Sequence, residues 1–347
     1  MLLKLKLGRL AYLPLIAICS IWIVLIVSNG DLAMDFYPLY FAAGRMIAGL
    51  SPYGDAATAE LARQWPAPFA AAGIAYPLPF LVLVLPFGLL PFALAATIWI
   101  ASGLAGTAAS LRLAENWRGL IALPLLFLPL HRSVVLGQAT LVWFGLAVVL
   151  VLGIRQRWSW VVGVSMALLL LKPQNGLFFA IAGLIWALWA NRRALIWFVG
   201  VEICLAIVVL LQQPGWIAAW LAQVQMYTTI VHPPSLLPWG LVLLLVAWRQ
   251  PWWSIIAACQ VVLFPLSDLY STLPLLLCWI GIGGRTALLG AGVSWLWSIA
   301  GLPNTMPVLW ALIMVPLILA MIWRSWVAPM VCAQAAVRQP KKPGSSI

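Results

Sequence analysis

One carboxylate and two cations are the residues of this sequence best suited to chemistry. Asp35 opens the run Asp35-Phe36-Tyr37-Pro38-Leu39-Tyr40, which leads through Arg45 to Gly49-Leu50-Ser51-Pro52-Tyr53. Such a carboxylate can cap the helix that follows it, or it can take a proton from a hydroxyl nucleophile. Asp31, one turn earlier, competes for either role. Lys172, in Leu171-Lys172-Pro173, and Arg132, in His131-Arg132-Ser133 ahead of Gly137-Gln138, are cations beside helix breaks. They can snorkel to a membrane surface or clamp a phosphate. His232, before Pro233-Pro234, reads as structural, and Asp268, in Ser267-Asp268-Leu269, as the cap of a following helix. There is no Walker loop, GxGxxG, HExxH or GxSxG motif and no DxD pair for a nucleotide-sugar metal site. Neither a cofactor nor a metal is expected.

The elements that must position these residues are membrane helices. Of 347 residues 65% are apolar and 7% charged, and the mean hydropathy is +1.07. A soluble domain is about a quarter charged, so a water-soluble fold is excluded. At roughly 20 apolar residues per crossing, the length allows about a dozen spans and leaves little chain for a soluble domain. The five cysteines form no CxxC pair and carry no information about compartment. The apolar stretch to Val27 is long and followed by a poor cleavage site, Ser28-Asn29-Gly30-Asp31, so it reads as an uncleaved first helix.

Charge fixes the expected orientation. The net charge of +12 sits in short clusters between apolar runs, at Arg112/Arg118, Arg155/Arg157, Arg192/Arg193 and Arg249, and in the tail at Arg338, Lys341 and Lys342. That is the pattern of cytoplasmic loops, not of a nucleic-acid-binding face. Residues 76–91 are apolar but carry Pro77, Pro79, Pro86 and Pro91. A full span there would put every arginine cluster outside, whereas a re-entrant or interfacial segment puts them all inside.

The expected fold is therefore all-α and integral to the membrane, a single polytopic domain of about twelve transmembrane helices with amphipathic or re-entrant helices in the first outer loop. Spans are expected at about 10–28, 92–111, 119–131, 138–154, 158–171, 175–190, 195–211, 236–248, 252–264, 269–283, 286–300 and 307–323. Residues 1–9 and 324–347 are then cytoplasmic, and 29–91 and 212–235 are outer loops. This arrangement puts 15 of the 19 Lys and Arg inside. It also puts Trp158, Trp160, Trp189, Trp197, Trp248, Trp252, Trp323 and Trp326 near the inner boundary, where indoles favour the headgroup region. What remains outside includes five of the seven acids and both histidines: Asp31, Asp35, Arg45, Asp55, Glu60, Arg63, His131, Arg132, Lys172, His232 and Asp268. Ionisable groups at membrane depth are costly and usually functional, so a reaction centre at the outer face of the cell membrane is inferred.

The order of motifs resembles the polyprenol-phosphate-mannose-dependent mannosyltransferase-like proteins of glycosyltransferase family 87, in the GT-C class. The resemblance rests on Asp35, Tyr37 and Tyr40, Gly49-Leu50-Ser51-Pro52-Tyr53, Tyr76-Pro77-Leu78-Pro79, Gly137-Gln138 and Leu171-Lys172-Pro173. It covers residues 10–195; the C-terminal half is similar only as a hydrophobic array, and Ser267-Asp268 lacks the nearby His common in the family. It implies a GT-C-like bundle and transfer of a sugar, with mannose as the expected one, from a polyprenyl-phosphate donor to a lipid or glycan acceptor, inverting the anomeric centre. Asp35 would be the base, and Lys172 with Arg132 would hold the donor phosphate. Asp31, Tyr37, Tyr40, Arg45, Tyr53, Tyr76, His131, Gln138, His232 and Asp268 would be candidates for substrate contact. The alternative from another class is a lipid or solute transporter, or a non-catalytic scaffold of envelope-polymer assembly, although no inverted repeat is visible.

Overall fold

The computed structural model describes residues 33–65, 72–266 and 268–329. The expected first helix, Asp31 and the basic tail lie outside these residues. The described chain is all-helical, with no strand among the described residues. In order the helices are α1 Tyr37–Ile47, α2 Asp55–Gln64, α3 Leu78–Gly88, α4 Phe92–Ser110, α5 Leu123–Leu126, α6 Leu128–Leu136, α7 Ala139–Gln156, α8 Ser159–Leu170, α9 Pro173–Ala190 and α10 Arg193–Gln212. They continue as α11 Trp216–Ile230, α12 Leu241–Ala247, α13 Trp252–Val262, α14 Leu276–Ile282, α15 Gly284–Gly292, α16 Leu296–Ile299, α17 Met306–Leu309 and α18 Val315–Ile322. A 3-10 segment, Leu269–Leu275, leads into α14, and π-helical turns make one rod of Met306–Val327.

Among the described residues, five helices are long and apolar enough to cross a membrane: Phe92–Leu113, Ala139–Gln156, Pro173–Ala190, Arg193–Gln212 and Met306–Val327. A sixth is reached if Trp117–Leu126 and Leu128–Leu136, bent by 59° where they meet, are one span. The spans expected at 158–171, 236–248, 252–264, 269–283 and 286–300 form as shorter helices, several of them bounded by Pro238, Pro251, Pro265 and Gly283-Gly284. Proline lacks the N–H and glycine tolerates open backbone, so apolar runs do not become unbroken rods. The segment expected to be re-entrant forms α3, whose 11 residues reach about 16 Å against a hydrocarbon core of about 30 Å.

The outer surface is apolar. Along α10, Ile196 is 72% exposed and Leu211 81%, with Ile203 and Ile207 also exposed. Water would not tolerate that stripe, so the protein is membrane-embedded. Inside, small residues bring helices together: a Cβ on Gly106 of α4 would lie 2.2 Å from the Gly145 Cα of α7. Close backbone approach of this kind is how membrane helices gain van der Waals contact without a hydrophobic driving force.

Side-chain contacts show which helix ends come together. Arg155, at the end of α7, donates to the Leu113 carbonyl after α4 at 3.1 Å and lies over the Trp253 ring at the start of α13 at 5.4 Å. Asn191, after α9, donates to Ser159 at the start of α8 at 2.9 Å. Gln250, before α13, donates to Ser325 at 2.9 Å. The arginine clusters between these helices therefore gather at one end of the bundle, and all eight tryptophans expected at that boundary are exposed. The opposite ends carry Asp35, Lys172 and Asp268.

Candidate functional site

The site is assembled from helix ends. Helix α6 stops at Gly137, whose φ of +62° is a left-handed conformation that a side chain adopts only with strain. The chain then turns through extended Gln138 into α7. Against this turn lies the segment before α1. Ala33 N–H donates to the Val135 carbonyl and Asp35 N–H to the Leu136 carbonyl, both at 2.9 Å, and Trp99 of α4 donates to the Gly137 carbonyl at 3.0 Å. Two backbone bonds thus set Asp35 beside Gln138, and the buried Gln138 amide donates directly to the Asp35 carboxylate. The side chain does not cap α1: the capping position is Phe36, and no side-chain capping bond is made there.

Lys172 approaches the same point from α9. Pro173, with no N–H and a fixed φ, starts that helix immediately after Lys172. The start is clamped from two sides. Asn175 donates to Thr140 of α7 at 3.2 Å, and buried Gln260 of α13 donates to the Pro173 and Gln174 carbonyls at 3.1 and 2.9 Å while accepting from Phe178 N–H at 3.0 Å. Lys172 is only 6% exposed, so it does not snorkel to the surface. Its ammonium lies 5.2 Å from the centre of the Tyr76 ring and donates no hydrogen bond among the described residues.

Three phenols complete the cluster. Tyr76, Tyr227 of α11 and Tyr270 lie within electrostatic reach of one another and of Asp35. Tyr227 arrives because α11, in the second loop expected to be outer, docks on the first: Trp220 donates to the Ala75 carbonyl at 3.0 Å, and buried Gln223 donates to the Ala72 carbonyl at 2.7 Å and accepts from Gly54 N–H. Burial raises the Asp35 carboxyl above the usual carboxylate range, against the opposing hydrogen bond from Gln138 and the charge of Lys172. Burial also lowers the Lys172 ammonium to about 7, with Asp35 opposing. The site thus holds a carboxyl and an ammonium that both titrate nearer neutrality than in water.

Arg132 stands at the rim. Its Nε and Nη2 both donate to one Asp268 oxygen at 3.2 Å, leaving Nη1 uncommitted to that pair. Asp268 also accepts from Leu269 N–H, the expected cap, and from Asn304 at 2.6 Å. Asp268 is therefore a fixed anchor for Arg132.

Other candidates support the scaffold. Tyr37 donates to Gln64 at 3.1 Å, Tyr40 to the Leu90 carbonyl at 2.9 Å, and Tyr53 to the Tyr76 carbonyl at 2.7 Å. Arg45 pairs with Glu60 and holds the Ser51 carbonyl at 2.8 Å. His131 packs edge-on against Trp295 and meets the Leu125 carbonyl at 2.8 Å, while His232 is exposed. Tyr227 and Tyr270 stand in no motif of the sequence. Their signal was rarity, since the chain has seven tyrosines against 22 tryptophans.

No protein family, curated protein or solved structure matches this chain.

Proposed function

We propose that the protein is a membrane glycosyltransferase that moves a sugar, with mannose as the expected one, from a polyprenyl-phosphate donor to a lipid or glycan acceptor on the outer face of the cell membrane. The observation that carries this reading is the meeting of Asp35 and Lys172, far apart in sequence, beside three phenols at one end of an apolar bundle. A carboxylate held by one amide and facing a buried ammonium suits a single displacement. The acceptor oxygen bonds to the anomeric carbon, Asp35 takes its proton, and the bond to the donor phosphate breaks with inversion. Negative charge grows on the departing phosphate, which Lys172 and, from the rim, Arg132 stabilise. Tyrosine rings give the apolar faces that sugars stack on and hydroxyls that bond to them.

The reading includes a twelve-span GT-C-like topology in which the short helices around 158–171 and 236–300 are crossings, α1 to α3 lie at or within the outer boundary, and the arginine-rich end faces the cytoplasm. Supporting this are the gathering, among the described residues, of the arginine clusters and eight of the nine exposed indoles at one end, and the shortness of α3.

The test is transfer by detergent-purified protein given a polyprenyl-phosphate-sugar and no membrane gradient. Release of the sugar is expected, and a transporter or scaffold would release none. Lys172→Met should weaken donor binding and slow single-turnover transfer, while Arg63→Met, on the exposed face of α2, should do neither. Equal effects from the two would remove Lys172 from the reaction.

A further inference from the structure

At the end of the bundle away from Asp35 there is a second cationic site. A cavity of about 470 Å³ is lined by Arg249, Gln250, Pro251, Gly281, Arg324 and Ser325, drawn from three separate stretches of chain. No acid lines it. The Arg249 guanidinium stacks 3.6 Å from the Trp326 ring centre and reaches the Ser325 carbonyl at 3.4 Å, which fixes its plane and leaves donors free. The Arg324 guanidinium is exposed and makes no hydrogen bond or ion pair among the described residues. Both lie where the last rod opens into a π-helical turn, Trp323–Val327, a geometry that recurs at functional sites.

We infer that this cavity binds the phosphodiester headgroup of an anionic phospholipid. Two guanidiniums facing one space match phosphate oxygens through paired N–H donors. The volume is enough for a glycerophosphate group. The surroundings argue for a lipid source, because exposed Trp248, Trp323 and Leu245 flank the cavity's own stretches and offer apolar and interfacial surface to glycerol and acyl chains. Basic pockets between membrane helices are suited to anionic headgroups. Positive-inside topology alone would account for the charges but not for two of them converging on one cavity.

The experiment is native mass spectrometry of the full chain, released from detergent containing either phosphatidylglycerol or phosphatidylcholine. The wild type should retain one phosphatidylglycerol that Arg249→Gln/Arg324→Gln loses, with retention at least tenfold weaker, while phosphatidylcholine adducts are unchanged. Arg324→Gln alone, which removes no bond from the fold, should show most of the loss if the double variant does not fold. Arg193→Gln, exposed at the start of α10, should behave as wild type. Unchanged retention in the Arg324 variants, or equal loss from Arg193→Gln, would overturn the site. Displacement of the lipid by millimolar inorganic phosphate would make it a soluble-phosphate site and overturn the lipid assignment.

Discussion

At the scale of residues, Asp35 and Lys172 set the pH response. The proposed transfer requires Asp35 ionised and Lys172 protonated. Asp35 has a raised pKa, so the base form appears as pH rises through that raised value; Lys172 has a lowered one, so the cation is lost as pH rises through about 7. A bell-shaped kcat/KM profile is expected, with its basic limb near neutrality. Donor phosphate beside Lys172 favours the ammonium, so the basic limb of kcat should lie above that of kcat/KM. Lys172→Arg should remove the basic limb, since guanidinium stays charged, at some cost in rate from its different shape. Gln138→Leu removes the donor that favours the Asp35 carboxylate, so the acid limb should move to higher pH. An unmoved limb in Gln138→Leu would mean that Asp35 is not the group titrating there.

Helix ends hold these residues, and the joint between α6 and α7 is the most constrained. A Cβ on Gly137 would meet Ala33 at 2.9 Å, in a backbone conformation already unfavourable for side chains. Gly137→Ala should cost about 1–3 kcal/mol, seen as a lower Tm, and should reduce transfer as well because Asp35 hangs from the same two backbone bonds. Full activity with a lowered Tm would separate the joint from the site. This joint shows what could and could not be seen in the sequence. Gly137-Gln138 and Leu171-Lys172-Pro173 mark themselves as breaks, because glycine and proline punctuate the backbone locally. That Gln138 reaches Asp35 and that Lys172 turns inward follow from the packing of α4, α7, α9 and α13, which no local signal carries. Tyr227 illustrates the same limit, since it reaches the site only because Gln223 and Trp220 dock α11 on residues 72–75. Arg45, by contrast, is a candidate for substrate contact in the sequence and is held instead by Glu60 and the Ser51 carbonyl, a pairing that needed the fold of α1 on α2.

Over the whole molecule, polarity is divided between two ends. Composition and the clustering of arginines made the membrane class and this division readable, because charge placement in loops is a sequence-level property. The lengths of the individual spans were not, since prolines inside apolar runs can break, bend or merely start a helix. In a cysteine-free background, cysteine at position 55 should react with an impermeant thiol reagent from outside, and cysteine at position 192 only after permeabilisation. The reverse pattern would turn the Asp35 cluster toward the cytoplasm and sink the outer-face assignment. In the proposed reaction Asp35 is the proton acceptor in sugar transfer from a lipid phosphate, and single-turnover transfer by Asp35→Asn reads that role. That change keeps the shape and can still hydrogen-bond but cannot take the proton. The rate should fall about a hundredfold to ten-thousandfold with donor affinity within a few-fold of wild type, whereas a wild-type rate in Asp35→Asn would mean that another group takes the proton.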